Sequence, residues 1–248
     1  MNAIDLNCDL GEGYPYDEAL LDLVTSANIA CGFHAGDDVT MRHIAEIAQK
    51  NGVGIGAHPS FPDRENFGRT NMDLSPDEVF EIVKVQVEKM MSVCDLIGAK
   101  LDHVKPHGAL YNMAAKDRQL ANAIARAVTS VDPELVLYGL SGSSLISEGK
   151  TVGLATASEV FADRTYTENG TLTPRSSPNA MIENARDAVA QVLQMVKTST
   201  VTATTGSKIS IDAETVCIHG DGPNAVEFAR ELRNTLQSEG IQVRPIRK

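Results

Sequence analysis

A short apolar run that breaks into a glycine-bearing polar loop and resumes as an amphipathic helix recurs along this chain, and that recurrence restricts the fold more than any other feature. Ala27 to Cys31 is one such run, bounded by polar residues and glycine, which suits a strand buried on both faces. The turn that follows, with Gly32 and Gly36, folds tightly enough to keep His34 and Asp37 near the strand's carboxyl end. Val39, Ile44, Ile47 and Ala48 then recur at helical spacing, with Asp37 or Asp38 as the N-cap. Each repetition of the unit puts histidine, aspartate or lysine just after a strand. The expected outcome is an α/β fold: a single-domain β/α barrel over residues 1–248, its loops converging on one site at the carboxyl ends of parallel strands.

The other units carry the same message. Ala3 to Asn7 reads as the first strand and delivers Asp9 and Glu12 into a loop with Gly11 and Gly13. Val53 to Ala57 is followed by His58 and a loop reaching Asp73 that holds Arg64, Glu65 and Arg69, a length that marks functional loops. Ser75, Pro76 and Glu78 form a capping box for a helix with Val79, Val83, Val87, Met90, Cys94 and Ile97 on one face and Gly98 as its stop. Leu101 to Lys105 is the fourth strand; alternation sends His103 and Lys105 to one side, and Pro106 ends the ladder so that His107 and Asn112 belong to the loop region. Asp117 caps a helix with Leu120, Ile124, Val128 and Val131 on one face, and Leu135 to Leu140 and Val152 to Ala157 are the fifth and sixth strands, the latter leading to Arg164 and Arg175, cations suited to a carboxylate or phosphate. Ser177 and Pro178 start a helix that buries Met181, Ala185, Val189, Val192 and Val196. Thr198 to Asp212 reads as a hairpin, Thr215 to Ile218 as the seventh strand ending in His219 and Asp221, and Ile241 to Val243 as a short last strand.

Composition narrows the function classes. Lys+Arg 22 against Asp+Glu 33 gives 22 − 33 = −11, which disfavours nucleic acid or an anionic membrane as partner. Aromatic residues at 4% without tryptophan disfavour a carbohydrate-stacking platform. Four cysteines without a C-x-x-C pair read as buried thiols in a reducing cytoplasm, and neither an export signal nor a long apolar span is present. Gly149-Lys150-Thr151 mimics the end of a phosphate-binding P-loop, but Ser144 stands where the glycine belongs and the context is wrong, so it is rejected.

Five of the six histidines, His34, His58, His103, His107 and His219, fall at or just inside the carboxyl ends of expected strands, and only His43 falls on a helix. Structural histidines have no reason to choose one face, so an active site is expected there.

The runs D-L-N-C-D-L-G-E (Asp5 to Glu12), N-I-A-C-G-F-H-A-G-D (Asn28 to Asp37), G-A-H-P-S-F-P-D (Gly56 to Asp63), H-V-K-P-H-G-A-L-Y-N (His103 to Asn112), E-V-F-A-D-R (Glu159 to Arg164) and C-I-H-G-D (Cys217 to Asp221) resemble the LamB/YcsF family, the A subunits of bacterial ATP-dependent 5-oxoprolinase. The resemblance implies a barrel of about seven strands akin to polysaccharide deacetylases and family 38 glycosidases. It also implies opening of the 5-oxo-L-proline lactam to L-glutamate with ATP and Mg2+, together with the 5-oxoprolinase subunits B and C. On that reading Asp9, His34, His58, Lys105 and His107 are the catalytic candidates. Glu12, Asp37, His103, Asn112, Arg164, Arg175, His219 and Asp221 are the substrate- and phosphate-binding candidates. Two other readings stay open. One is a metal-dependent amide or carbohydrate deacetylase with a divalent ion on Asp9, His34 and His58; the other is a small-molecule binding or uptake accessory protein without catalysis of its own.

Overall fold

Alternation along β1 (Ala3–Leu10) sets the character of the barrel. Ile4, Leu6, Cys8 and Leu10 join the apolar shell beneath the helices, and Asp5, Asn7 and Asp9 point the other way, into the interior. The computed structural model describes residues 3–219 and 224–246. Among these, seven parallel strands close into a ring: β1, β2 (Ser26–Ala30), β3 (Gly54–His58), β4 (His103–Val104), β5 (Val136–Leu140), β6 (Ala155–Phe161) and, after a hairpin of β7 (Thr200–Thr202) with β8 (Lys208–Ser210), β9 (Thr215–Ile218). Closure comes from β9, whose Thr215 is in register with Glu159 of β6 and with Asp5 of β1. A short β10 (Gln242–Val243) pairs with the first residues of β1.

Eight helices among the described residues surround the ring: α1 (Asp17–Leu21), α2 (Asp38–Asn51), α3 (Pro76–Ile97), α4 (Gly108–Ala114), α5 (Arg118–Val131), α6 (Ser144–Thr151), α7 (Ala185–Thr198) and α8 (Ala225–Ser238). The capping signals act as expected. Asp37 accepts from the Thr40 N–H, Asp117 caps α5, and Ser75 with Glu78 forms the reciprocal box at α3. No helix among the described residues is long and apolar enough to cross a membrane. All four cysteines are buried thiols.

Several boundaries differ from the sequence reading. The helix expected from Ser177 begins at Ala185, because Asn184 caps it through the Arg186 and Asp187 N–H groups. Met181 instead bridges Arg164 in an antiparallel contact and is 38% exposed. The sixth strand starts at Ala155, not Val152, since α6 runs to Thr151 and Gly153 turns the chain at φ 87°. Lys150 therefore lies in the last turn of a helix, the opposite end from a P-loop lysine. Val39, placed on the buried face of α2 by periodicity, is exposed in its first turn. The region after Pro106 forms α4 with His107 at its N-cap position, where a loop was expected.

Candidate active site

Lys105 leaves β4 and enters the barrel, where it is 2% exposed. Its Nζ donates to Asp9 Oδ1 at 2.8 Å, Asn7 Oδ1 at 3.2 Å and Cys217 Sγ at 3.1 Å. Those acceptors use the three ammonium protons, so Glu159 Oε1, 2.9 Å away and without a hydrogen bond of its own, holds the lysine by charge. Burial opposes the Lys105 charge, but Asp9, Cys217 and Glu159 outweigh it and keep the pKa well above its ordinary value. For Asp9 burial again opposes ionisation, and His58 and Lys105 overcome it to hold the carboxyl well below the usual range. A buried ion pair survives only when its remaining polar atoms are satisfied. Asn28 Nδ2 supplies Asp9 Oδ1 and Asn7 Oδ1, and the Tyr111 hydroxyl donates to Glu159 Oε2 at 2.7 Å.

Three imidazoles gather beside this charge network. His34 follows β2, His58 ends β3 and His107 begins α4, and their relative exposures are 1%, 0% and 6%. The His34 and His107 rings stack at 3.8 Å, and His58 meets both edge-on. Glu12, from the loop after β1, places Oε1 3.0 Å from His34 Nε2, 3.3 Å from His107 Nδ1 and 3.8 Å from His58 Nε2. Burial and then His58 push the His34 pKa down to about 2, and the same two causes drive His107 well below its ordinary value. Burial and then Asp9 raise that of Glu12. The long third loop folds over this group: Phe67, at φ 57°, accepts from His107 Nε2 and stacks its ring edge-on against His34 and His107. Gly68 at φ 66° allows that approach, since a Cβ there would meet His34 and His107 at 3.0 Å.

Asp9, Glu12, His58, Lys105, His107, Arg175 and His219 share one cavity of ≈ 530 Å³ with Asn112 and Arg164 at its wall. His219 Nδ1 donates to Asp163 at 2.8 Å while its Nε2 accepts from Arg175 at 2.9 Å, because a guanidinium can only donate. Arg164 is 5% exposed and donates to the Thr173 and Ala180 carbonyls, bracing the loop that carries Arg175. His103, by contrast, starts β4 and sits below the site: its Nε2 donates to Asn28 Oδ1 at 2.8 Å and its ring stacks on Tyr138 at 4.3 Å. Asp37 is apart from the cavity, exposed at the start of α2. Asn112 turns its side chain onto the Gly108 carbonyl within α4. Asp221 lies outside the described residues.

Asn7, Asn28, Glu159 and Asp163 are among the participants not singled out from the sequence. Asn7 and Asn28 look like ordinary strand residues. Glu159 carried a readable signal, because a charged residue inside the apolar run Ala155 to Phe161 must find a buried partner. Asp163 sits two residues beyond that strand, within the same E-V-F-A-D-R run.

The comparisons with known proteins agree along the whole chain. A Shouchella clausii protein, named as the A subunit of 5-oxoprolinase, is 54% identical over 249 residues, covering 98% of each chain. A Geobacillus kaustophilus protein of the same name is 53% identical over 252 residues, covering 100% of this chain and 98% of its own. The crystal structure of a lactam utilization protein from Thermus thermophilus superposes with a TM-score of 0.92 at 41% identity, over 98% of this chain and 100% of that one. A family 4 carbohydrate esterase from Streptomyces lividans shares the fold alone, at 10% identity and a TM-score of 0.52 over 98% of this chain and 91% of that one. Residues 4–248 match the LamB/YcsF family model, and the chain belongs to the LamB/YcsF family.

Proposed function

We propose that this protein is the A subunit of a 5-oxoprolinase and opens the lactam of 5-oxo-L-proline to L-glutamate, with ATP and Mg2+ as co-substrate and with B and C subunits as partners. The observation that carries this reading is a buried lysine that lines a cavity together with His58 and His107, in a chain more than half identical to proteins bearing that name. The cavity, at ≈ 530 Å³, has the size of a small-molecule site.

The chemistry explains why such groups are needed. A lactam amide resists water because resonance weakens its carbonyl as an electrophile. Transfer of the ATP γ-phosphoryl group to the lactam oxygen, with ADP leaving, removes that resistance. Water then adds to the activated carbon, the C–N bond breaks and the ring nitrogen takes a proton to become the amino group. The resulting acyl phosphate yields phosphate and the side-chain carboxylate to a second water. Lys105 and Arg175 supply positive charge to the phosphoryl and carboxylate oxygens, and the unprotonated imidazole nitrogens beside Asp9 receive the proton from water.

The test is glutamate release by the purified chain with saturating ATP, magnesium and 5-oxoproline, alone and with co-expressed B and C subunits. The isolated chain should release little, and the reconstituted complex should turn over. A complex that hydrolyses ATP without producing glutamate overturns the assignment. Robust release by the chain alone overturns only the partnership.

A further inference from the structure

The outer nitrogens of His58 and His107 are both accounted for. His58 Nδ1 lies 2.6 Å from the Lys105 carbonyl oxygen and His107 Nε2 lies 3.0 Å from the Phe67 carbonyl oxygen. A carbonyl has no proton to give, so each of these nitrogens carries the N–H. The inner nitrogens, His58 Nε2 and His107 Nδ1, then face each other at 2.9 Å. As neutral imidazoles, both present lone pairs. His34 repeats the arrangement: Ser60 Oγ directs its proton to the Phe61 carbonyl, accepts from His34 Nδ1 at 2.9 Å, and leaves Nε2 aimed at Glu12 Oε1. Three lone-pair nitrogens and a carboxylate oxygen thus crowd together, all four within 4.8 Å of one another. A second carboxylate, Asp9 Oδ2, stands 3.4 Å from His58 Nε2.

Such a set of acceptors needs a cation at its centre. One proton on Glu12 would relieve its contact with His34 and leave His58 opposed to His107. One proton between His58 and His107 would leave Glu12 Oε1 opposed to His34 Nε2 at 3.0 Å. A single divalent ion satisfies all four ligand atoms at once, and imidazoles whose far nitrogens are locked by a backbone carbonyl or a hydroxyl are the usual surroundings of such an ion.

We infer that Glu12, His34, His58 and His107 form a binding site for one divalent transition-metal ion. Three nitrogens and one oxygen match Zn2+ and its first-row neighbours, not Mg2+ or Ca2+, which prefer oxygen throughout. The site does not depend on the proposed reaction or on the Mg2+ that accompanies ATP. It differs from an Asp9-His34-His58 triad, since Asp9 Oδ1 is committed to Lys105 and Asn28, and Glu12 and His107 complete the set instead. Because Glu12, His58 and His107 line the cavity, the ion would be reached from it, and the proton-accepting role beside it would pass to Asp9 Oδ2.

The experiment uses the full chain, purified without a polyhistidine tag or chelator, stripped, and dialysed against Zn2+ or Co2+. Elemental analysis should find about one ion per chain. The Co2+ form should show visible ligand-field bands, and Zn2+ should raise Tm in a concentration-dependent way. His58→Gln and His107→Gln, judged folded by circular dichroism, should each weaken binding about tenfold or more, and the distant His43→Gln should leave it unchanged. If either ligand variant fails to fold, the Co2+ spectrum and Tm response of the unaltered chain still decide the matter. Sub-stoichiometric metal with no Co2+ bands and no Tm response overturns the site, as does undiminished binding in a folded His58→Gln protein.

Discussion

The imidazole of His103 occupies the space that a Cβ on Gly56 would need: a side-chain carbon there would collide with Nε2, Cδ2 and Cε1 of the ring. The two residues are in register on neighbouring strands β3 and β4, so backbone pairing leaves the ring nowhere else to go. Gly56→Ala should force His103 off Asn28 and Tyr138 and cost about 1–3 kcal/mol, the usual penalty for overpacking a closed interior. Urea titration measures it. An unchanged midpoint would show that the ring relocates freely.

Lys105→Met removes the cation between Asp9 and Glu159, whose carboxylates the lysine joins at 2.8 and 2.9 Å. Turnover of the reconstituted complex should fall about 100-fold or more. Stability should fall as well, by about 3–5 kcal/mol, because two buried carboxylates lose their counter-charge. Adding Glu159→Gln should recover part of the stability and none of the activity. A double variant that regains turnover would reduce Lys105 to a structural member of the ion pair.

His103 provides a pH-dependent stability component whose sign can be worked out. Burial and then Lys105 push its folded pKa down to about 3, against an ordinary value near 6.5. Between those values the unfolded chain binds a proton that the folded chain refuses, so stability falls as pH falls, by about 1.4 kcal/mol per unit. His103→Gln should lack this component. Wild type should therefore lose more stability than the variant between about pH 6.5 and about pH 5, compared by denaturant titration. Parallel losses in the two proteins would contradict the assignment.

Arg164 and Arg175 should separate under alanine substitution although both line the cavity. Arg164→Ala strands the buried Thr173 carbonyl, while the Ala180 carbonyl keeps the Thr165 N–H, and should cost about 1–3 kcal/mol. Arg175→Ala, at an exposed residue, should change stability by less than about 0.5 kcal/mol and act on KM by removing positive charge beside His219. The reverse pattern in a paired thermal and kinetic comparison would exchange their roles.

What the sequence by itself determined was most of what depends on neighbours along the chain. The strand, loop and helix units, the caps at Asp37, Ser75 and Asp117, and the delivery of His34, His58, His107 and His219 to one end of the strands are local consequences of periodicity, glycine and capping chemistry. Local spacing also misled where a side chain's surroundings overruled it: Asn184 capped α7 in place of Ser177, and Val39 kept the helical period yet faced outward. Only the tertiary structure decided which groups meet. Closure of the ring through β9, with strand register as its vernier, brings Glu159 of β6 to Lys105, seats His103 a layer below the site, and leaves Asp37 outside it. The same closure turns the bare nitrogens of His58 and His107 on one another beside Glu12, a relation between loops distant in sequence that no spacing along the chain encodes.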